Sequence, residues 1–357
     1  MTGSRHTFAM VSLLVAAATF GIDPATAGAL ARTVQAKQVK KLRRIAIVPL
    51  SAQGGIGFDD LLYVPALHRV LAPAGKTGQL ALLEPRSRSV TSIVGFARSN
   101  APYTGGHAEG VTSADASDSY LFAVDRTTTM LVIAFEGKIA SRVVLKASPD
   151  YVRYVAPTKE IWVTEPDLEQ IEIFAAPPDV SQVPVRVATI AVPGGPESLV
   201  IDHARARAYT HLWKGHTAVI DIKNRQIEQI WSNGCESSRG IAFDEKRGLL
   251  FAACSEGRVV ALDTHANGRI ASSVWTGAGV DVIAYSEALG HVYAPAARGA
   301  VLTVLSVTPS GELRVLARTA APMGAHCAAA DNERQVWLCD PEQGRLIVYK
   351  DDLPASP

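Results

Sequence analysis

Short apolar runs separated by polar turns recur along this chain, and two stretches carry the pattern most plainly. One reads LVIDHARARAYTHLWKGHTAVID, from Leu199 to Asp221, and the next reads IAFDEKRGLLFAACSEGRVVALD, from Ile241 to Asp263. Each holds an apolar run, an Asp, a charged turn, a second apolar run, a gap of small residues, and a third run ending in Asp. Runs of four to eight apolar and β-branched residues bounded by turn residues predict strands, and the turns between them predict hairpins. In the first stretch the predicted strands are Ser198–Ile201, Arg207–Thr210 and Thr217–Ile222, followed by a fourth at Gln226–Trp231.

Aligned on the turn after the first strand, the copies fall at Pro65, Asp115, Pro157, Asp202, Asp244, Ser286 and Asp331. Their spacings are 50, 42, 45, 42, 42 and 45 residues. A period of about 40–45 residues with four strands per unit is the signature of propeller blades. The predicted fold is therefore all-β: one seven-bladed β-propeller of four-stranded antiparallel blades. First strands are small and apolar (GIAF, SLVI, CAAA), as crowding around a narrow axis demands. Second strands carry Trp162, Tyr209, Phe251, Tyr293 and Trp337, expected to pack between blades. The seventh unit ends at its third strand, Gly344–Tyr349, because Asp351–Pro357 is polar and ends in Pro. The apolar run Arg44–Pro49 precedes the first unit without a partner. Pairing it with the last blade would close the ring and remove an exposed sheet edge.

The N-terminus departs from this grammar. Arg5 and His6 precede an apolar stretch, Phe8–Phe20, and Ala25 and Ala27 occupy the small-residue positions of an A-x-A site. This reads as a signal peptide cleaved after Ala27, and the run is too short to span a bilayer. The expected organisation is a signal peptide at 1–27, a linker at 28–42, the propeller at 43–350 and a tail at 351–357. Lys37, Lys40, Lys41, Arg43 and Arg44 form a basic run read as a solvated linker. The expected location is periplasmic or secreted, with no transmembrane segment.

Export changes how the 4 cysteines are read. Four cysteines allow three connectivities, and an exported chain favours disulfides. Cys235 and Cys254 flank the turn at Asp244–Arg247, and Cys327 and Cys339 flank the turn at Asp331–Arg334. Folding back about those turns predicts the pairs 235–254 and 327–339. Charge is balanced, with 35 Lys+Arg against 34 Asp+Glu, and aromatic residues make up 6%. Neither the basic footprint nor the stacking platforms of a nucleic-acid binder are present.

With the repeats laid out, the chain resembles the YVTN-type β-propeller repeat of exported bacterial proteins, within the quinoprotein amine dehydrogenase-like propeller superfamily. The residues that carry the resemblance are Arg207–Thr210 with Ala218–Asp221, Leu249–Ala252 with Val259–Asp263, and Glu160–Thr164 with Gln170–Ile173. It covers roughly Leu50 to Tyr349. Blades one and two depart from the pattern, at Pro65 and at Leu131–Phe135. The resemblance implies a recognition or assembly platform, with relatives that hold quinones, metals or lactone substrates.

Ligands of propellers meet the loops leading into the innermost strands, at one mouth of the axial channel. Those loops offer His107 and Glu109, with Tyr103 nearby, in blade two, then Tyr151 and Arg153 in blade three. Blade four offers Glu197, blade five Arg239, blade six Asp281 and blade seven His326. The expected function is binding of a small ligand or a protein partner by a monomer, rather than catalysis, with no cofactor. One alternative is a metal-dependent hydrolase of the lactonase kind, with Glu197 and Asp281 as leading ligands of a divalent cation and His107, Glu109 and His326 as further candidates. Another is an accessory subunit of a quinoprotein dehydrogenase. No G-x-S-x-G elbow or phosphate-binding loop supports other chemistry. His203, His216, His265 and His291 fall in outer turns and are expected to be solvated, and Trp213 is expected to pack sideways in its loop.

Overall fold

The computed structural model describes residues 40–51 and 54–357. The expected signal peptide, Lys37 and the linker up to residue 39 lie outside the described residues. Seven four-stranded antiparallel sheets follow one another around a ring. In six of them the strands run in chain order from the centre outward. The fourth blade shows the agreement with the apolar pattern: its strands are Val200–Asp202, Arg207–Leu212, His216–Asp221 and Gln226–Ser232. No helix among the described residues is long and apolar enough to cross a membrane.

The seventh blade is built from both ends of the chain. Ala328–Ala330, Gln335–Asp340 and Arg345–Lys350 form its first three strands. Arg43–Pro49 adds the fourth, antiparallel to the third, with Ile47 opposite Ile347. The ring is thus closed by hydrogen bonds between the two ends of the propeller, as the unpartnered apolar run implied. Just before this strand, Lys40 bridges Ala317 and the Leu42 N–H donates to Thr319 Oγ1 at 2.8 Å. The last linker residues therefore pack along the outer strand of blade six.

The repeated Asp has a local role. Asp202, Asp244 and Asp331 each accept a backbone N–H bond from three or four residues on, from Arg205, Arg247 and Gln335. A short acidic side chain that caps its own turn is what a tight hairpin requires. The second-strand aromatics Trp162, Tyr209, Phe251, Tyr293 and Trp337 are all essentially buried. Rings also meet across blade boundaries, Tyr209 on Phe243 at 5.5 Å and Phe251 on Tyr285 at 5.3 Å. The core is accordingly a circle of inter-blade clusters rather than one central mass.

One expectation fails at the C-terminal side. The tail Asp351–Pro357 is packed down: the Ser356 N–H donates to Leu289 O at 2.7 Å, and Leu353 is buried. This segment lies over the turn of blade six because His291 is not solvated but fully buried. Its Nδ1 meets Asp351 at 2.8 Å and its Nε2 meets Pro354 O at 3.0 Å, while the Tyr293 hydroxyl donates to the same Asp351 at 2.7 Å. His203, His216 and His265 are exposed, as expected.

Candidate functional site

The loops leading into the innermost strands bring charged side chains from every blade to one end of the axis. Blade one supplies Asp59, blade two His107, blade three Asp150, blade four Glu197, blade five Arg239, blade six Asp281 and blade seven His326. They are held in place by backbone contacts between successive loops. The Val282 N–H donates to His326 O, and the Asp60 N–H donates to Thr112 O. Close approach also needs glycine at one point: a Cβ on Gly240 would come within 2.5 Å of Asp281 O.

Asp59 is the hub. Its carboxylate is 3% exposed and takes His107 Nδ1 at 2.9 Å and Arg126 Nη2 at 3.1 Å. Arg126, from the turn after Leu121–Asp125, also binds Asp150 and donates to His107 O at 2.9 Å. Desolvation works against the Asp59 charge, but His107 and Arg126 outweigh it and hold its pKa below the ordinary value. The Asp59 charge in turn raises His107 to about 9, so this imidazole is protonated at neutral pH. Asp150 moves the other way, pushed up by burial and by the nearby Asp59 and Glu197 charges against the pull of Arg126.

The His107 ring stacks on His326, with centroids 5.3 Å apart, and its Nε2 stands 4.0 Å from Asp281. His326 Nδ1 meets Gly324 O at 2.7 Å and its Nε2 meets Phe58 O at 2.8 Å. Carbonyl oxygens only accept, so the ring that satisfies both contacts is the doubly protonated one. Burial opposes that charge, yet the Cys339 and Asp281 sides of the site outweigh it and raise the His326 pKa. On the far side, Glu197 accepts from Trp213 Nε1 at 2.7 Å and pairs with Arg239 at 3.2 Å. Trp213 thus packs into the site rather than standing free. Burial raises the Glu197 pKa against these two partners.

His107, Arg239, Asp281 and His326, with Arg298 and Glu342, face a common cavity of about 330 Å³. These include four of the eight residues expected at the mouth. Glu109 is exposed and turns into a separate recess beside Lys76 and Tyr103. Tyr151 and Arg153 are not mouth contacts. Both are buried, 6% and 9% exposed, and they line a different cavity of 440 Å³ along the inner strands. Arg153 is bound there by Asp60, with Nη1 to Oδ2 at 2.6 Å and Nη2 to Oδ1 at 3.0 Å. It lies one step inside Val152–Val155, so its side chain points into the channel instead of out of the loop. A larger recess of 740 Å³ sits among the outer strands of blade one, but among the described residues Lys76 and Arg98 are its only charged lining groups.

Three of the candidate ligands, Asp281, His107 and His326, come within 4.8 Å of one another. A metal needs a ring lone pair, and both His326 nitrogens already engage carbonyl oxygens, whereas His107 binds Asp59 through Nδ1 and turns Nε2 toward Asp281. Glu197 is occupied by Trp213 and Arg239, outside that cluster.

Cys235 and Cys254 form the expected disulfide. The second expected disulfide is not formed: Cys327 and Cys339 are free and fully buried. Their positions oppose each other as predicted, but the sulfur of Cys339 is turned under the backbone. It accepts the N–H groups of Cys327 at 3.1 Å and His326 at 3.3 Å. Asp59, Asp60, Arg126 and Asp150 were missed from the sequence. The pair Asp59-Asp60 before a predicted first strand was the one signal that pointed to them.

Neither a family model nor a curated protein matches the chain. Solved structures do. A chain of the mitotic checkpoint complex aligns with TM-score 0.70 at 12% identity, covering 95% of this chain and 99% of that one. The likeness is one of fold. Hydrazine synthase of Kuenenia stuttgartiensis aligns with TM-score 0.68 at 10% identity, over 89% of this chain and 99% of that chain. The Swd1 β-propeller domain of Myceliophteria thermophila gives 0.68 at 12%, over 87% and 99%. The checkpoint-complex chain and the Swd1 domain are seven-bladed, WD40-like propellers. Fold alone does not carry function.

Proposed function

We propose that this chain is an exported binding propeller of the YVTN type that holds an anionic group at the mouth formed by the leading loops. The group is presented by a small ligand or by a protein partner. The observation that carries the reading is the charge around the 330 Å³ cavity. His107, His326, Arg239 and Arg298 face it as cations against Asp281 and Glu342 as anions. Convergent polar groups from several elements around one concavity are the usual form of a recognition site. Export is supported by the Cys235–Cys254 disulfide and by the N-terminal apolar segment.

The test is a thermal-shift and titration series with carboxylate- and phosphate-bearing compounds, run beside recovery of bound partners from an extract of the source cells. Wild type is expected to gain stability or retain partners, and Arg239→Ala with Arg298→Ala is expected to lose both. If wild type and the double variant behave alike in every assay, the mouth is not the binding face. The hydrolase alternative would need lactone turnover that divalent ions stimulate. The engagement of both His326 nitrogens by carbonyl oxygens argues against it.

A further inference from the structure

Directly behind the mouth lies a group of residues that the binding reading does not use. Cys327 precedes the first strand of blade seven and Cys339 lies on the second, Gln335–Asp340. The Cys339 N–H donates to Cys327 O at 3.1 Å, as an antiparallel ladder requires. The return bond is different. The Cys327 N–H donates at 3.1 Å to the sulfur of Cys339, and the His326 N–H joins it at 3.3 Å. Two aligned backbone dipoles aimed at one sulfur form an anion-binding nest. The two sulfurs and a His326 ring nitrogen all lie within 4.8 Å of one another. As shown above, the His326 contacts require the charged ring. One sulfur therefore sits under two N–H donors beside an imidazolium, with a second thiol next to it.

We propose that Cys327 and Cys339 form a redox-active dithiol in which Cys339 is the reactive thiolate, Cys327 is the resolving thiol, and the oxidant is a small hydroperoxide. The asymmetry of the two sulfurs agrees with these roles. Burial raises the Cys339 pKa, but the Cys327 thiol, the His326 charge and the two backbone N–H groups outweigh it and bring it to about 7. Cys327 has no such donors, and burial pushes it well above the ordinary value. The thiolate is the nucleophile in sulfur chemistry, and a positive neighbour with N–H donors is what generates one.

Both sulfurs are 0% exposed, which selects the oxidant. A protein disulfide or glutathione disulfide cannot bring its own sulfur into line with a buried one. A water-sized peroxide needs the smallest opening to reach them from the mouth cavity, whose wall includes His326. The Cys339 thiolate attacks one peroxide oxygen, and the O–O bond breaks. Cys339 becomes a sulfenic acid, and the departing hydroxide takes up a proton to leave as water. The Cys327 sulfur then attacks the sulfenic sulfur. Its proton goes to the departing hydroxide, which also leaves as water. One hydrogen peroxide is reduced to two waters, or one alkyl hydroperoxide to its alcohol and one water, while the two thiols are oxidised, by two electrons in all, to a disulfide. Cys235–Cys254, already bonded in the same chain, serves as an internal reference.

The experiment starts from the purified full chain, treated with mild reductant until two thiols are titratable and then desalted. Hydrogen peroxide is added in small excess, and the denatured products are alkylated and mapped. The expected result is paired loss of both thiols, with a 327–339 disulfide in the peptide map. In Cys327→Ser, a sulfenic-acid trap is expected to label Cys339. In Cys339→Ser, Cys327 is expected to react at least tenfold more slowly. Oxidised glutathione is expected to leave the native pair untouched. Survival of both thiols under peroxide that consumes free cysteine overturns the proposal, and this arm needs no variant to fold. So does faster labelling of Cys327 than of Cys339. Equal oxidation by glutathione disulfide overturns the choice of oxidant. If the pair is isolated already bonded and resists reduction as long as 235–254 does, it is a structural bridge and the proposal fails.

Discussion

Replacing Arg153 with Met should destabilise the fold without touching the mouth. The guanidinium and the Asp60 carboxylate form a two-point ion pair, at 2.6 and 3.0 Å, with side chains 11% and 3% exposed. Asp60 also accepts the Ser113 hydroxyl at 2.6 Å, and Arg153 donates to Val152 O at 2.8 Å and lies 5.1 Å from the Tyr151 ring centre. Methionine keeps much of the stem volume but leaves the carboxylate buried with one hydroxyl donor. Removing one partner of a buried pair costs about 3–5 kcal/mol. Asp60→Leu combined with Arg153→Met should recover most of the loss, since an apolar pair of similar volume replaces a charged one. Chemical denaturation with urea at pH 7 measures both quantities. Arg239→Ala is the contrast: its pair with Glu197 is 35% and 21% exposed, so its loss should be within about 1 kcal/mol. A loss below about 1 kcal/mol for Arg153→Met, or a double variant no more stable than Arg153→Met, would refute this account of the channel.

Three further outcomes follow from the same geometry. His107 is raised to about 9 by Asp59, so its contribution to stability is fully present below about pH 6.5 and is lost as the pH rises through 9. Because its side chain is 35% exposed, the size should be about 1 kcal/mol, read as a wild-type minus His107→Gln difference in thermal melts that is larger at pH 6 than at pH 10. A difference that does not depend on pH removes the ion pair as its source. Ending the chain at Lys350 would strip Asp351 from the buried His291 and the Tyr293 hydroxyl, at about 1–3 kcal/mol for each orphaned group, so the truncated protein should melt several degrees lower. An unchanged melting temperature would show that the C-terminal segment does not clasp blade six. Cys235→Ala with Cys254→Ala opens a link across 19 residues and should cost about 3 kcal/mol in chemical denaturation, a cost that reductant reproduces in wild type.

What could be read in advance was whatever the chain repeats. Asp202, Asp244 and Asp331 cap the same hairpin in three blades, so their role shows in the spacing alone. Ring closure was legible for a related reason: Arg43–Pro49 is an apolar run with no neighbouring strand to pair with, and Arg345–Lys350 has a partner within its own unit on one side only. The polar pairs obey no such rule. Asp60 finds Arg153 across 93 residues, and His291 finds Asp351 across 60. Neither partner's surroundings mark it out. His291 sits in a turn that reads as solvated, and the residues that bury it belong to a segment that reads as a polar tail. Cys339 shows the limit at finer scale. Strand logic put it opposite Cys327, yet the sulfur's direction depends on two backbone N–H groups, and no residue pattern specifies them.

The mouth combines both situations, and this decides how its residues should be weighed. Each blade supplies one charged loop residue, so the ring of positions follows from the repeat. Which of them stay available to a ligand does not. Arg126, from the turn after Leu121–Asp125, reaches inward to bind Asp59 and Asp150, and Asp59 then fixes and charges His107. Glu197 is likewise taken by Trp213 and Arg239. Arg298 lies across the cavity, with one guanidinium nitrogen on Ser255 O and the residue itself exposed. A partner that reads this mouth would therefore meet Arg298 and the open edges of His107 and Arg239 first. The Asp59–Arg126–Asp150 group behind them sets the geometry and the charge. Substitutions at Arg298 should change affinity with little loss of stability, and substitutions at Arg126 should change both. A scan that found the opposite order would place the binding face elsewhere on the ring.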